Sequence, residues 1–197
     1  LGWASKNGFC SDNKAHGLRI KQKKNPQEDR AIFNNQDLSN LFSKIYSAKH
    51  FLHSYYYWLP LLGLFTGARI NEICQLDIND IQEENGIPFI NFQANSEDKK
   101  LKSISSQRQI PIHSKLLELG FLDFVQEEYT RGSRKLFSII IPGRDGYGTS
   151  PSKWFGRIKD NIYLSFKNKQ AFHSFRHNFS QALKNKGVDE AFTATLT

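Results

Sequence analysis

A helix that is apolar on nearly every side has no face to give to water, and residues 53–66 are such a stretch. It has to form the buried centre of the fold, with other elements packed around it. Thr66-Gly67-Ala68 ends it, and a short helix over 69–76 follows with Ile70, Ile73, Cys74 and Leu76 on its apolar side. Arg69 therefore stands on a turn at a helix start, its position fixed by buried neighbours.

A second arginine segment, His173-Ser174-Phe175-Arg176-His177, begins a helical stretch over 173–186. His173, Arg176 and His177 stand at i, i+3 and i+4 and share one face, while Phe172, Phe175 and Phe179 supply the apolar contacts that hold it. Two fixed guanidinium forks with a histidine beside one of them can hold a phosphate whose charge rises during a reaction. A lone histidine is more often a satisfied core residue, but two histidines and an arginine on one face point to a polar site. His173 and His177 also have metal-ligand spacing. In a zinc protease helix a glutamate general base follows the first histidine, whereas here Ser174 follows it and Arg176 adds positive charge to the face, which argues against zinc.

The charge balance fits a phosphate ligand. Against 19 Asp and Glu stand 27 Lys and Arg, leaving a formal +8, which favours a polyanion; a basic but merely solvated surface is the competing reading. With 197 residues, 39% hydrophobic and 13% aromatic, the chain can bury a sizeable core. Cys10 and Cys74 cannot make a metal quartet, and Cys74, in an apolar helical stretch, reads as a buried reduced thiol. No apolar run approaches the length of a membrane span and no charged-then-apolar leader opens the chain, so a cytoplasmic location is expected. The sequence starts at Leu1 and holds no methionine, as expected for a piece of something longer.

Along the chain, residues 1–9 read as the end of a helix closed by Asn7-Gly8. Residues 17–30 carry Arg19, Lys21, Lys23, Lys24 and Arg30 with Pro26 and almost nothing apolar. That is a linker composition, either tracking phosphates between domains or simply solvated. Asp37 is expected to cap a helix bearing Leu38, Leu41, Phe42 and Ile45. Strands are expected over 87–92 and 109–112, joined as a hairpin with a long polar tip that holds Lys99, Lys100 and Lys102. A helix over 114–129, an apolar run over 136–141, a Gly-rich loop over 142–148 and a helix over 151–166 with Lys153, Arg157 and Lys159 come next. After the helix at 173–186 the chain turns at Gly187 and starts another helix at Val188.

In this order, the Thr66-Gly67-x-Arg69-x-x-Glu72 box, the segment 76–81, the hairpin ending Arg108-Gln109-Ile110-Pro111-Ile112, and the His173-x-x-Arg176-His177 box continued by Gly187-Val188-Asp189 resemble the tyrosine recombinases, or phage integrases. The match runs from about Ala31 to the last residue. The resemblance implies an α+β fold, a mainly helical catalytic domain with a small antiparallel sheet. It implies that residues 1–20 end an N-terminal core-binding domain, that 21–30 form a basic linker, and that 31–197 are the catalytic domain, truncated at its C-terminus. The implied activity is site-specific cleavage and rejoining of double-stranded DNA through a 3′-phosphotyrosyl intermediate, with no cofactor and no metal, in a bacterial or phage-encoded protein associated with the nucleoid. A type IB topoisomerase and a catalytically inert DNA-binding module remain the alternatives.

Residue by residue, the resemblance makes Arg69 and Arg176 the clamp on the scissile phosphate and His173 the histidine that helps move the nucleophile's proton. It makes Lys102, with Lys100 as runner-up, the hairpin lysine that protonates the departing 5′ oxygen. Glu72 and His177 take supporting roles. Arg19, Lys21, Lys23, Lys24, Lys153 and Arg157 are expected to contact DNA backbone. The family pattern continues with Gly-His and then a tyrosine nucleophile. All seven tyrosines here precede the second arginine box, so the nucleophile is expected to be absent from this chain. The full-length enzyme is expected to act as a homotetramer on paired sites, and this fragment as a monomer.

Overall fold

Helix α3 (Tyr55–Thr66) buries eight of its twelve residues, as its uniform apolarity demands. The computed structural model describes residues 2–11, 13, 31–47, 53–103, 106–165 and 169–197. The expected linker over 21–30, with Lys21, Lys23 and Lys24, and also Arg19, lies outside the described residues. Around α3 pack α2 (Asn35–Ser47), α4 (Ile70–Cys74), α5 (Ser114–Glu118) and α8 (Ser174–Asn185). The remaining helices are α1 (Gly2–Lys6), α6 (Phe121–Thr130), α7 (Thr149–Asp160) and α9 (Glu190–Leu196). No helix among the described residues is long and apolar enough to cross a membrane.

The sheet has one strand more than the sequence reading foresaw. Its order is β1 (Ile81–Glu84), β2 (Ile87–Phe92), β3 (Arg108–Pro111), all antiparallel. Asn85 and Gly86, both at positive φ, close β1 onto β2 as a two-residue turn and set Glu84 opposite Ile87. Such a turn matches the twist of the strands it joins. Only β2 and β3 were expected, and the polar, largely exposed face of β1 explains why it was overlooked.

Three other expectations need correcting. The single helix expected over 114–129 is two, because Gly120 takes a left-handed conformation between α5 and α6. The helix expected over 151–166 starts two residues earlier and ends at Asp160. Asp37 is not the cap of α2 but its partner. Asn34 is the capping residue, its Oδ1 accepting the Asp37 N–H at 2.8 Å while Asp37 Oδ2 accepts the Asn34 N–H at 3.2 Å. The buried Asp37 also accepts from the Ser165 N–H at 2.8 Å and the Gln170 amide at 2.7 Å, tying α2 to the loop before α8.

The seam between α3 and α8 carries the rest of the fold. Phe175 is fully buried, with ring centroids of Phe33, Phe172 and Phe155 at 4.9, 5.3 and 5.5 Å. The helices approach closely because Gly63 has no side chain: a Cβ there would stand 2.8 Å from Phe172 Cζ and 3.2 Å from Phe175 Cδ2. Gly63→Ala is expected to destabilise the fold by about 1–3 kcal/mol through overpacking. An unchanged urea midpoint would show that the seam yields more easily than its geometry indicates.

Candidate active site

Arg69 is positioned by the way α3 ends. Thr66 Oγ1 donates to the Leu62 carbonyl at 2.6 Å and accepts the Ala68 N–H at 3.2 Å, so the chain leaves the helix in a fixed direction. Gly67 then takes φ 62°, a left-handed conformation that glycine adopts at no steric cost. Phe179 of α8 occupies the space a side chain would need, with Cδ1 2.6 Å from where a Cβ would be. The chain emerges with Arg69 extended at the start of α4. Glu72 in the first turn accepts the Arg69 backbone N–H at 3.0 Å and its guanidinium at 2.6 Å.

Arg176 reaches the same place from α8. Its Nη1 donates to the Gly67 carbonyl at 2.9 Å, two residues from Arg69. Burial, then the nearby positive charge of Arg69, lower its pKa to about 10. Two cations held this close, one of them half-buried, form a ready site for an anion. Arg69 and Arg176 are thus brought to the same turn from two different helices. His173 sits at the head of α8, half-buried, and its ring meets that of His177 edge to face with centroids 5.0 Å apart. Among the described residues no third His, Cys, Asp or Glu joins them in a metal-binding group.

The other expected residues are more dispersed. Lys102 lies exposed in the connection between β2 and β3. Lys100, the runner-up, is also exposed. Lys99, expected beside them on the tip, is instead buried, its Nζ 2.6 Å from Asp80 Oδ2 and 2.9 Å from Asp77 Oδ2. A lysine so enclosed needs its carboxylates, and it anchors the tip rather than decorating it. Lys153 and Arg157 are exposed one turn apart on α7.

Tyr55 is buried, and Tyr56 stacks on Trp154 at 4.4 Å. Tyr57 packs on Trp58 at 4.9 Å. Tyr147 donates to Asp98 at 2.8 Å; burial and that carboxylate push its pKa up to about 12. Tyr46, Tyr129 and Tyr163 are exposed on α2, on α6 and just beyond α7.

The family model for the phage integrase family matches residues 32–196, which take in both arginine boxes and the whole sheet. This chain belongs to the phage integrase family. Solved structures with the same fold include a Tn1549 transposon integrase in complex with a circular intermediate DNA, with a TM-score of 0.62 at 17% identity, covering 99% of this chain and 66% of that one. XerH site-specific recombinase bound to its difH substrate gives 0.56 at 20%, covering 91% and 49%. A lambda integrase tetramer bound to a Holliday junction gives 0.59 at 17%, covering 99% and 53%. The chain therefore spans from about half to about two thirds of the length of these structures. They establish the fold expected from the sequence, a mainly helical α+β domain with a small antiparallel sheet. No curated protein matches the sequence.

In this integrase chain the residue that sequence reasoning passed over is Arg108. It is 8% exposed, and its Nη2 donates to Glu72 Oε2 at 2.8 Å while its guanidinium lies 4.6 Å over the Phe92 ring. Its Nε donates to the Leu196 carbonyl at 2.9 Å, drawing the end of α9 onto the sheet. The signal was present in the alternation of β3. Arg108 points inward with Ile110, so a charge had to be buried there and had to find a partner.

Glu72 is thus held by two arginines. Burial alone would raise its pKa, but Arg108 and then Arg69 hold it below glutamate's ordinary value of 4.5. Because the folded value is the lower one, this pairing stabilises the fold above that pH and is lost as pH falls through the folded value. Glu72→Gln should therefore flatten the acid limb of a stability-against-pH profile measured by urea unfolding. An acid limb identical to that of the unsubstituted chain would contradict the pairing. Arg108→Ala, which breaks a buried pair, is expected to cost about 3 kcal/mol in the same measurement at neutral pH.

Proposed function

We propose that this chain carries the phosphate clamp of a site-specific DNA recombinase that cleaves and rejoins DNA through a 3′-phosphotyrosyl intermediate. The observation that carries the reading is the convergence of Arg69 and Arg176 on the Gly67 turn, within a chain of formal charge +8. Family membership and the likeness to recombinases described in complex with DNA support it. Both guanidinium groups would grip the non-bridging oxygens of the scissile phosphate and neutralise the charge that builds up in the pentacoordinate transition state. A tyrosine oxygen would attack the phosphorus, His173 would help move its proton, and Lys102 would protonate the 5′ oxygen as the P–O bond breaks. The energy of the phosphodiester is kept in the phosphotyrosyl bond, so rejoining needs no ATP.

In this reading none of the seven tyrosines, all of which precede the second arginine box, is the nucleophile, and the attacking tyrosine would come from outside residues 1–197. Lys153 and Arg157 would hold DNA backbone without reading sequence. Residues 1–20 would end a preceding DNA-binding domain, with 21–30 as its basic connection, and the complete protein would act on nucleoid DNA as a tetramer on paired sites. The lambda integrase structure, a tetramer on a Holliday junction, supports that assembly by analogy.

In the full-length protein, Arg69→Ala or Arg176→Ala is expected to lower covalent protein–DNA adduct formation on a nicked suicide substrate by about a hundred-fold or more while leaving most of the affinity. Undiminished adduct in either variant would refute the site. Affinity should fall steeply as salt rises, because phosphate contacts release counterions. Adduct formation should be indifferent to EDTA, and its loss on chelation would point to metal-assisted chemistry instead.

A further inference from the structure

We infer that Gln75 is a positioning residue that sets the hairpin lysine against the arginine clamp, an inference that rests on the reading of Lys102 as the acid. Gln75 closes the C-terminus of α4, six residues after Arg69, and is 3% exposed. Its side-chain amide binds both backbone groups of one hairpin residue. Oε1 accepts the Lys100 N–H at 3.0 Å, and Nε2 donates to the Lys100 carbonyl at 3.2 Å. Such a two-point amide clamp reproduces one rung of a β-ladder, across 25 residues of sequence.

The clamp is itself held. Asn71 on α4 donates to the same Oε1 at 3.3 Å and accepts the Gly148 N–H at 3.0 Å, and the Gln75 backbone carbonyl accepts Lys135 Nζ at 3.0 Å. Immediately before Lys100, Lys99 is fixed by Asp77 and Asp80, which follow Gln75 in the chain. Residues 99 and 100 are therefore pinned to the segment that begins with Arg69, and Lys102 stands two residues beyond the pin. A proton donor must lie within hydrogen-bond reach of the oxygen it protonates, and a displacement of about 1 Å costs on the order of a hundred-fold in rate. Gln75 thus bonds both Asn71 on α4 and the hairpin backbone two residues before Lys102.

The test separates positioning of the acid from general structural support. Full-length protein is assayed for single-turnover cleavage of two DNA substrates, one with the ordinary 5′ oxygen and one with sulfur at the bridging position of the scissile phosphate. A thiolate departs without help from an acid, because a thiol is far more acidic than an alcohol. Gln75→Leu keeps the volume and removes both hydrogen bonds; Gln75→Glu keeps the acceptor for the Lys100 N–H and loses the donor. On the oxygen substrate Gln75→Leu is expected to lose about a hundred-fold and Gln75→Glu less. On the sulfur substrate both should cleave within about two-fold of the unsubstituted protein, as should Lys102→Ala. The inference is overturned if both Gln75 variants lose cleavage equally on the two substrates, or lose none on either. A Lys102→Ala protein that sulfur does not rescue would count against Lys102 as the acid, and the inference would fall with it.

Discussion

The carboxylate of Glu72 is the interaction on which the rest of the site depends. It is buried, so its charge must be matched, and it is matched twice, by Arg69 on the turn after α3 and by Arg108 on β3. One oxygen of that carboxylate also holds the backbone N–H that starts α4. A single side chain thereby joins the helical layer, the sheet and the arginine at the start of α4. Arg108 extends the link to α9 through the Leu196 carbonyl, so the last helix is tied to the same charge. Losing the carboxylate would leave Arg108 buried without its ion-pair partner, the costly way to break such a group.

The second arm of the site is held by shape rather than charge. Phe33, Phe155, Phe172 and Phe175 form a cluster of edge-on and tilted rings beneath α8, and Gly63 and Gly67 let that helix press against α3 and its terminal turn. Arg176 is carried to Gly67 by this packing, then secured by one hydrogen bond. The two guanidinium groups repel each other, and that repulsion is what makes the place receptive to an anion. The aromatic seam supplies the packing that holds the two cations near one another.

The helical core and the two arginine boxes were legible in the sequence because each rests on local pattern. The uniform apolarity of α3, the Thr-Gly break and the i, i+3, i+4 face at His173 are all read within a few residues. What escaped was non-local or masked by polarity. Strand β1 carries Gln82, Glu83 and Glu84, which hide its alternation, although Asn85-Gly86 marked the turn after it. Lys99 looks like its neighbours Lys100 and Lys102 in sequence, and only Asp77 and Asp80, about twenty positions away, decide that it is buried. Gln75 likewise reads as an ordinary polar residue until its amide is found on the Lys100 backbone. The expected DNA contacts at Arg19, Lys21, Lys23 and Lys24 fall outside the described residues.

The central claim is that Arg69 and Arg176 grip one and the same phosphate. A structure of the full-length protein on its DNA site tests it most directly. The account predicts that both guanidinium groups lie about 2.7–2.9 Å from non-bridging oxygens of a single phosphate, the one adjoining the cleavage position. Arginines bound to two different phosphates, or a scissile phosphate remote from the Gly67 turn, would contradict it.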